Sequence, residues 1–221
     1  MPKIVDHDLY REELVDKCFA LFSEKGYSNV TMRQIAAKAG ISTGALYHYF
    51  PTKLAILEQM FGVLSRRDVE QAVRHAAITE VFEKRLELFF EFFLEKEANF
   101  QNLLLLSIDF LRNYDSEESE RIVYQWVDYY LQSMKHYLGI PESLVMTIMI
   151  FFNGLVYQTK LFPKLVSSSR QLKIFKDILL SYIKEHAIDT TACVPSPFLQ
   201  DTQPGGGGKK SGYHNPEQRR S

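Results

Sequence analysis

The chain has 221 residues, of which 46% are hydrophobic and 24% charged, and its 26 basic and 27 acidic side chains give a formal net charge of −1. This is the composition of a globular protein with enough apolar side chains for a core, which excludes collagen-like, disulfide-scaffold and largely disordered chains. The near-zero net charge excludes a protein that coats nucleic acid by overall positive charge, but it allows a local basic patch.

The cysteine and histidine content indicates which cellular compartment and which bound metals or cofactors to expect. Cys18 and Cys193 suit neither a disulfide framework nor a zinc motif, so we expect a reducing, cytoplasmic setting and no signal peptide. The six histidines show no metal-ligand spacing, and we expect no metal and no cofactor. Residues 144–157 are the most apolar stretch, but a bilayer span needs about 20 apolar residues, so we predict a buried helix and no membrane partner.

Helical periodicity dominates the chain and strand alternation is nearly absent, which predicts an all-α fold. Apolar residues at helical spacing first occur over residues 14–22, and three further helices follow with recognisable cap and stop residues. The predicted helix starts are Thr31 with Gln34 in a capping box, Ser42 and Thr52, and the predicted ends are Gly26, Gly40 and Pro51.

Longer amphipathic helices follow from about residue 75, and residues 144–152 are apolar nearly all round, which predicts burial on more than one face. After Ala187 the periodicity stops. The remaining segment contains prolines, four consecutive glycines and basic residues, a composition typical of a flexible tail.

An acid-free window lies between Glu24 and Glu58. Its 33 residues contain no Asp or Glu, where the average of the chain predicts about four, and they contain the bases Lys25, Arg33, Lys38 and Lys53. A surface without acids is what a phosphate backbone requires, because each acid there would repel it. The window therefore indicates a nucleic-acid contact surface.

Two short helices inside this window are joined by residues 39–41, where Gly40 supplies the backbone freedom of a tight turn. This is the spacing of a helix-turn-helix, whose second helix enters the DNA major groove with its N-terminal residues toward the bases. Small residues there allow close approach, aromatic residues with hydrogen-bonding groups suit phosphates and thymine methyl groups, and the neighbouring helix starts offer anion sites. Thr31, Ser42 and Thr52 would cap helices with or without DNA. The predicted DNA-binding residues are Thr31, Arg33, Ser42, Thr43, Gly44, Tyr47, His48, Tyr49 and Lys53.

Residues 31–53 resemble the helix-turn-helix of the tetracycline-repressor (TetR) family, and the similarity runs from about residue 9 to Phe61. The resemblance implies an all-helical homodimeric repressor, whose larger C-terminal domain binds a small ligand and dimerises through its last two long helices. It also implies that all the predicted DNA-binding residues except Ser42 and Tyr49 match positions that commonly touch DNA. The elements that carry it are Phe22, Gly26-Tyr27, Thr31, Ile35-Ala36, Gly40, Gly44, Leu46-Tyr47, Phe50, Lys53 and Leu57.

Three parts of the chain follow from these patterns. We predict an N-terminal three-helix, helix-turn-helix DNA-binding domain over residues 1–55, with helix 4 linking at about 52–74. A larger helical effector-binding and dimerisation domain over 75–187 and a flexible tail over 188–221 complete the chain. The helices at about 142–162 and 171–186 are the predicted homodimer interface, because an extensively apolar helix surface needs a partner.

Aromatic side chains are abundant in the predicted C-terminal domain and favour a largely apolar pocket for a hydrophobic or aromatic effector. Each of them could equally be an ordinary core residue. Asp109, Asn153 and Gln158 interrupt apolar helices, and could orient a ligand or be satisfied at helix interfaces. The predicted ligand-binding residues are Phe89, Phe93, Phe110, Trp126, Tyr130, Phe152 and Asn153.

These patterns predict a ligand-responsive transcriptional regulator, a repressor that a small, largely apolar effector releases from a palindromic operator. The alternative is a helical dimeric DNA-binding or interaction module controlled by a protein partner, and a body cavity of several hundred Å³ would favour the first. An enzyme is not expected. The sequence has no phosphate-binding loop, nucleotide-binding glycine fingerprint or Gly-x-Ser-x-Gly motif, and no histidine has the Glu three residues earlier that a di-iron bundle needs.

Overall fold

The computed structural model describes residues 7–76, 79, 81–114 and 116–190. Within these ranges the chain forms eight helices and no strand, which confirms the all-α prediction. Of the predicted tail at 188–221, residues 191–221 lie outside the described part. The helices are α1 (His7–Lys25), α2 (Met32–Ala39), α3 (Thr43–Tyr49), α4 (Lys53–Ala76), α5 (Phe82–Asn113), α6 (Glu117–Leu138), α7 (Glu142–Leu161) and α8 (Ser168–Glu185).

The predicted caps of the short helices are confirmed. The backbone N–H of Gln34 donates to Thr31 Oγ1 at 3.3 Å, and the backbone N–H of Thr31 donates to Gln34 Oε1 at 2.9 Å, which completes a capping box. Ser42 Oγ and Thr52 Oγ1 cap α3 and α4 by accepting the backbone N–H of Ala45 and Ala55, at 3.1 and 3.0 Å. Gly40 ends α2 in the left-handed conformation with φ 76°, which glycine adopts without steric cost.

The N-terminal core is formed by α1 to α4 together with parts of the body. Its central side chains are fully buried, which makes it a closed, well-filled cluster. Helix α5 adds Leu103, Leu106 and Phe110, and α6 adds Ile122. The N-terminal members include Leu14, Phe22, Ile35, Leu46, Phe50, Ile56 and Leu57.

The body core lies between the first half of α5, the second half of α6, and α7 and α8. Aromatic rings dominate its centre, where Phe93 and Phe152 stack with centroids 4.0 Å apart. Helix α5 is one uninterrupted helix of 32 residues, about 48 Å long at 1.5 Å per residue. It therefore contributes one half to each core.

Helices α7 and α8 bury one face each and leave a second apolar stripe at the surface. On α7 the exposed stripe contains Ile150 and Tyr157, and on α8 it contains Ile174, Ile178 and Tyr182. Among the described helices, α7 is the one whose length and composition would allow it to cross a membrane. Helix α8 begins at Ser168, earlier than the predicted start at about residue 171.

Candidate DNA-binding surface and ligand cavity

Most of the predicted DNA-binding residues lie in α2 and α3 or at the starts of these helices, within the acid-free window. Thr31, Arg33 and Ser42 are exposed at the helix starts, and Gly44 is exposed in the first turn of α3. One turn further, Tyr47 is 49% exposed and His48 is also exposed. A tyrosine ring so open to solvent gains little from packing, so its hydroxyl and ring face are available to a partner.

Two of the predicted DNA-binding residues also support the fold. Tyr49 is half-buried, and its ring lies 5.4 Å from that of Tyr10 on α1. The Lys53 ammonium donates to the backbone carbonyls of Tyr27 and Val30, at 2.9 Å each, and lies 4.3 Å from the centroid of the Tyr27 ring. Lys53 therefore fastens the start of α4 to the loop between α1 and α2. Because an ammonium has three N–H donors, one remains for a phosphate.

The end of α5 holds the same loop from the other side. Asp109 Oδ2 accepts hydrogen bonds from the backbone N–H of Ser28 at 3.1 Å and from its hydroxyl at 3.3 Å. A Cβ atom added to Gly26 would lie 3.2 Å from Asp109 Oδ2, and Gly26 has φ +77°. Both the close approach and the left-handed conformation favour glycine there. Asp109 thus anchors the loop before α2 and does not orient a ligand.

An apolar cavity of about 160 Å³ lies between α4, α5, α6 and α7. It is smaller than the several hundred Å³ expected of an effector pocket, and close to the roughly 150 Å³ that accommodates benzene. Its wall brings together six of the seven predicted ligand-binding residues. These are Phe89, Phe93, Trp126, Tyr130, Phe152 and Asn153.

The prediction is wrong for Phe110, which lies in the N-terminal core and not at the cavity. Its side chain is fully buried, edge-on to Tyr27 at 5.1 Å between centroids and stacked with Tyr114 at 5.5 Å. The apolar periodicity of α5 shows that Phe110 faces a core. It cannot show which one, because the same stripe passes from the body core into the N-terminal core.

Asp68 on α4 is a cavity residue that the sequence did not single out. It is only 7% exposed, and its Oδ2 accepts a 2.7 Å hydrogen bond from the Tyr130 hydroxyl. Burial raises the pKa of the Asp68 carboxyl, and the hydrogen bond from Tyr130 and the positive charges of Lys96 and Arg67 oppose that shift. The flanking sequence is charged, so only the helical spacing of Asp68 to Val69 and Ala72 could have indicated its inward position.

Three other polar side chains of the cavity wall donate to backbone carbonyls, two of them within their own helix. The Ser107 hydroxyl donates to the carbonyl of Leu104 at 2.8 Å, and the Ser133 hydroxyl donates to the carbonyl of Tyr129 at 2.6 Å. The Tyr137 hydroxyl donates to the carbonyl of Arg85 at 3.3 Å. The wall is therefore largely apolar and aromatic, with one carboxylate, the Asn153 amide and the indole N–H of Trp126, which is buried without a hydrogen-bond partner among the described residues.

Comparison with known proteins gives a family match for the N-terminal part. The profile of the family described as bacterial regulatory proteins, tetR family, matches residues 14–60. The chain is similar to the HTH-type transcriptional regulators BetI of Yersinia pestis (strain Pestoides F), with 33% identity over 88 residues, and of Escherichia coli O139:H28, with 33% over 81 residues. These matches cover 40% and 37% of this chain and only 44% and 39% of the two relatives.

Solved structures show the same fold over most of the chain. The transcriptional regulator FadR from Bacillus subtilis, in complex with stearoyl-CoA, superposes with a TM-score of 0.66 at 17% identity, over 77% of this chain and 97% of that one. A transcriptional regulator from Saccharomonospora viridis, in complex with choline, gives a TM-score of 0.65 at 16% identity, over 82% and 98%. At these identities the likeness establishes the architecture alone.

Proposed function

Because this chain belongs to the tetR family of bacterial transcriptional regulators, we propose that it is a homodimeric repressor, released from a palindromic operator by a small, largely apolar effector. One observation carries this proposal: α5 both lines the cavity and holds the helix-turn-helix. Its residues Phe93 and Phe100 form part of the cavity wall, and Asp109 near its end binds the loop before α2. A ligand in the cavity and DNA on α3 therefore act on one helix.

In the proposed complex α3 lies in the major groove and its first turn faces the bases. Tyr47 and His48 contact phosphates or thymine methyl groups, and Arg33 and Lys53 neutralise phosphates beside the groove. The whole proposed contact set consists of the nine residues Thr31, Arg33, Ser42, Thr43, Gly44, Tyr47, His48, Tyr49 and Lys53.

The proposed homodimer forms through the exposed stripes of α7 and α8. Ile150 on α7 and Ile178 on α8 are respectively 66% and 59% exposed, although both lie in well-formed helices. Apolar stripes at the surface favour a partner, and a two-fold axis makes the same stripe complementary to itself. The dimer would place two recognition helices on two operator half-sites, which is why we propose a palindrome.

Release follows if the effector binds better to the form whose two α3 helices do not fit the operator. The related folds with choline or stearoyl-CoA support a small-molecule effector here. We propose a cytoplasmic, non-enzymatic protein with the parts 1–55 for DNA, 52–74 for linkage, 75–187 for effector and dimerisation, and 188–221 as a tail.

A second candidate, control by a protein partner, is favoured by the small volume of the cavity. At about 160 Å³ it lies below the range of about 300–1,000 Å³ that is usual for ligand pockets. Either effectors are of single-ring size, or the exposed surface of the body receives a protein.

Selection of bound DNA from a random duplex library by the purified full-length protein tests the proposal. We expect a palindromic motif, and for Tyr47→Ala a several-fold weaker affinity for it with dimerisation unchanged. Tyr124→Ala is the matched control, because Tyr124 is a similarly exposed tyrosine on α6. A folded dimer that enriches no motif, or a Tyr47→Ala variant with unchanged affinity, would contradict the assignment of α3.

A further inference from the structure

The cavity has a charged side chain in an otherwise apolar wall. Asp68 is the one charged residue among the described residues that line it. Its carboxylate is nearly inaccessible to bulk solvent, at 7% exposure, and it accepts a hydrogen bond from a neutral group, the Tyr130 hydroxyl. A hydrogen bond from a neutral donor compensates the charge of a buried carboxylate only in part.

The cations near Asp68 do not sit in the cavity. Arg67 points to the surface, where its guanidinium binds Glu12 at 2.8 Å and Asp16 at 2.6 Å. Lys96 on α5 contributes an attraction to Asp68 but is not part of the cavity wall. Among the described residues of the cavity wall, no cation therefore accompanies the Asp68 carboxylate.

Aromatic rings surround this space. Trp126 meets Tyr130 edge-on with centroids 5.8 Å apart, and Phe93 stacks with Phe100 at 5.5 Å. All four of these residues line the cavity, as does Phe92. Aromatic faces attract cations, and the attraction is strongest where water is excluded.

We propose that the effector of this protein is a small organic cation, whose ammonium group sits beside Asp68 and whose apolar part fills the aromatic cavity. The inference rests on the proposed effector function and narrows it to a charge class. A cation would compensate the buried carboxylate, whereas a neutral ligand would deprive it of residual water and an anion would be repelled.

Three probes of the same shape and different charge test this proposal. Benzyltrimethylammonium is cationic, neopentylbenzene is its neutral carbon isostere, and phenylmethanesulfonate is an anion of similar size. Trp126 is the one tryptophan of the chain and lies in the cavity wall, so its fluorescence reports occupancy directly. With wild-type full-length protein, we expect benzyltrimethylammonium to bind at least about tenfold more tightly than phenylmethanesulfonate.

The variant Asp68→Asn separates charge from shape, because asparagine is nearly isosteric and its amide oxygen still accepts the Tyr130 hydrogen bond. We expect this variant to bind benzyltrimethylammonium at least about tenfold more weakly than the wild type does. Its affinity for neopentylbenzene should be unchanged or higher. Glu91→Gln, on the exposed side of α5, is the matched control and should change neither affinity. Circular dichroism establishes that each variant is folded, and the wild-type comparison needs no variant.

The outcomes distinguish two claims: that the cavity is an effector site, and that its effector is a cation. If neopentylbenzene binds and benzyltrimethylammonium does not, or if Asp68→Asn changes all probes alike, the cationic class is overturned and an apolar effector survives. If only phenylmethanesulfonate binds, both the cationic class and the apolar effector are overturned. If no probe binds to folded protein, the cavity is not an effector site of this size and both claims fail. DNA selection then still tests the regulator independently.

Discussion

The N-terminal core and the body core are built from similar residues but differ in how completely they are filled. In the N-terminal core Leu14, Leu46, Phe50 and Ile56 are all fully buried, and Lys53 fastens the adjoining loop. A cavity of about 160 Å³ lies mainly against the body core, although Leu103 of the N-terminal core also lines it. A filled core resists deformation, while a void leaves side chains room to rearrange. We therefore expect the N-terminal unit to deform less readily than the body, and α5 belongs to both.

The largest expected loss of stability comes from removing one aromatic ring from each core, which tests whether the two cores differ in packing. Phe110→Ala should destabilise the protein by about 3–5 kcal/mol, because a filled core leaves a new cavity behind. Phe93→Ala should cost less, because that ring lines a cavity that is already present. Urea unfolding of both variants measures the difference. Equal losses would mean that the body core is packed as tightly as the N-terminal one.

Adding atoms should give effects of opposite sign in the two regions. Ala36→Leu in α2 overfills the N-terminal core and should destabilise the protein by about 1–3 kcal/mol. Ala72→Leu on α4 points into the cavity and should stabilise the protein by about 0.5–2 kcal/mol. Thermal unfolding of the pair provides the measurement. Destabilisation by Ala72→Leu would show that the cavity cannot accept a leucine side chain, and hence not a ligand of that size.

The smallest expected effect compares two lysines, each with two oxygen partners. Lys53→Met removes two hydrogen bonds from partly buried carbonyls and should cost about 1–3 kcal/mol. Lys176 binds Glu83 and Glu87 at the surface, so Lys176→Met should cost less than about 1 kcal/mol.

DNA affinity then separates the two proposed roles of Lys53. If its remaining donor contacts a phosphate, Lys53→Met should also lower the salt dependence of operator binding by about one unit of slope. An unchanged slope with weaker binding would make Lys53 a positioning residue alone.

The sequence predicted the short helices well because their limits are local. A capping box needs only Thr31 and Gln34, and the end of α2 needs only Gly40. The acid-free surface could be predicted for a similar reason, because short helices such as α2 and α3 leave many of their residues exposed. Local sequence patterns were therefore enough to propose the DNA-binding surface.

The cavity could be predicted only in part, because it depends on how distant helices meet. Aromatic content identified six wall residues but could not tell the wall from the core next to it, as Phe110 shows. Asp68 was missed because its neighbours in sequence are charged, and only the packing of α4 against α6 turns it inward. The role of Asp109 was missed because its partner, Ser28, is 81 residues away in the sequence.

The sharing of α5 between the two cores also determines what can be exchanged between related proteins. A chimaera joined at residue 55 would separate Leu103, Leu106 and Phe110 from the side chains on which they pack. In such a chimaera the α5 of the recipient protein would pack against a DNA-binding unit from another protein. The mismatched side chains would then lie inside a closed core. A transplantable unit must therefore include the α5 residues 103–110 as a second, non-contiguous segment.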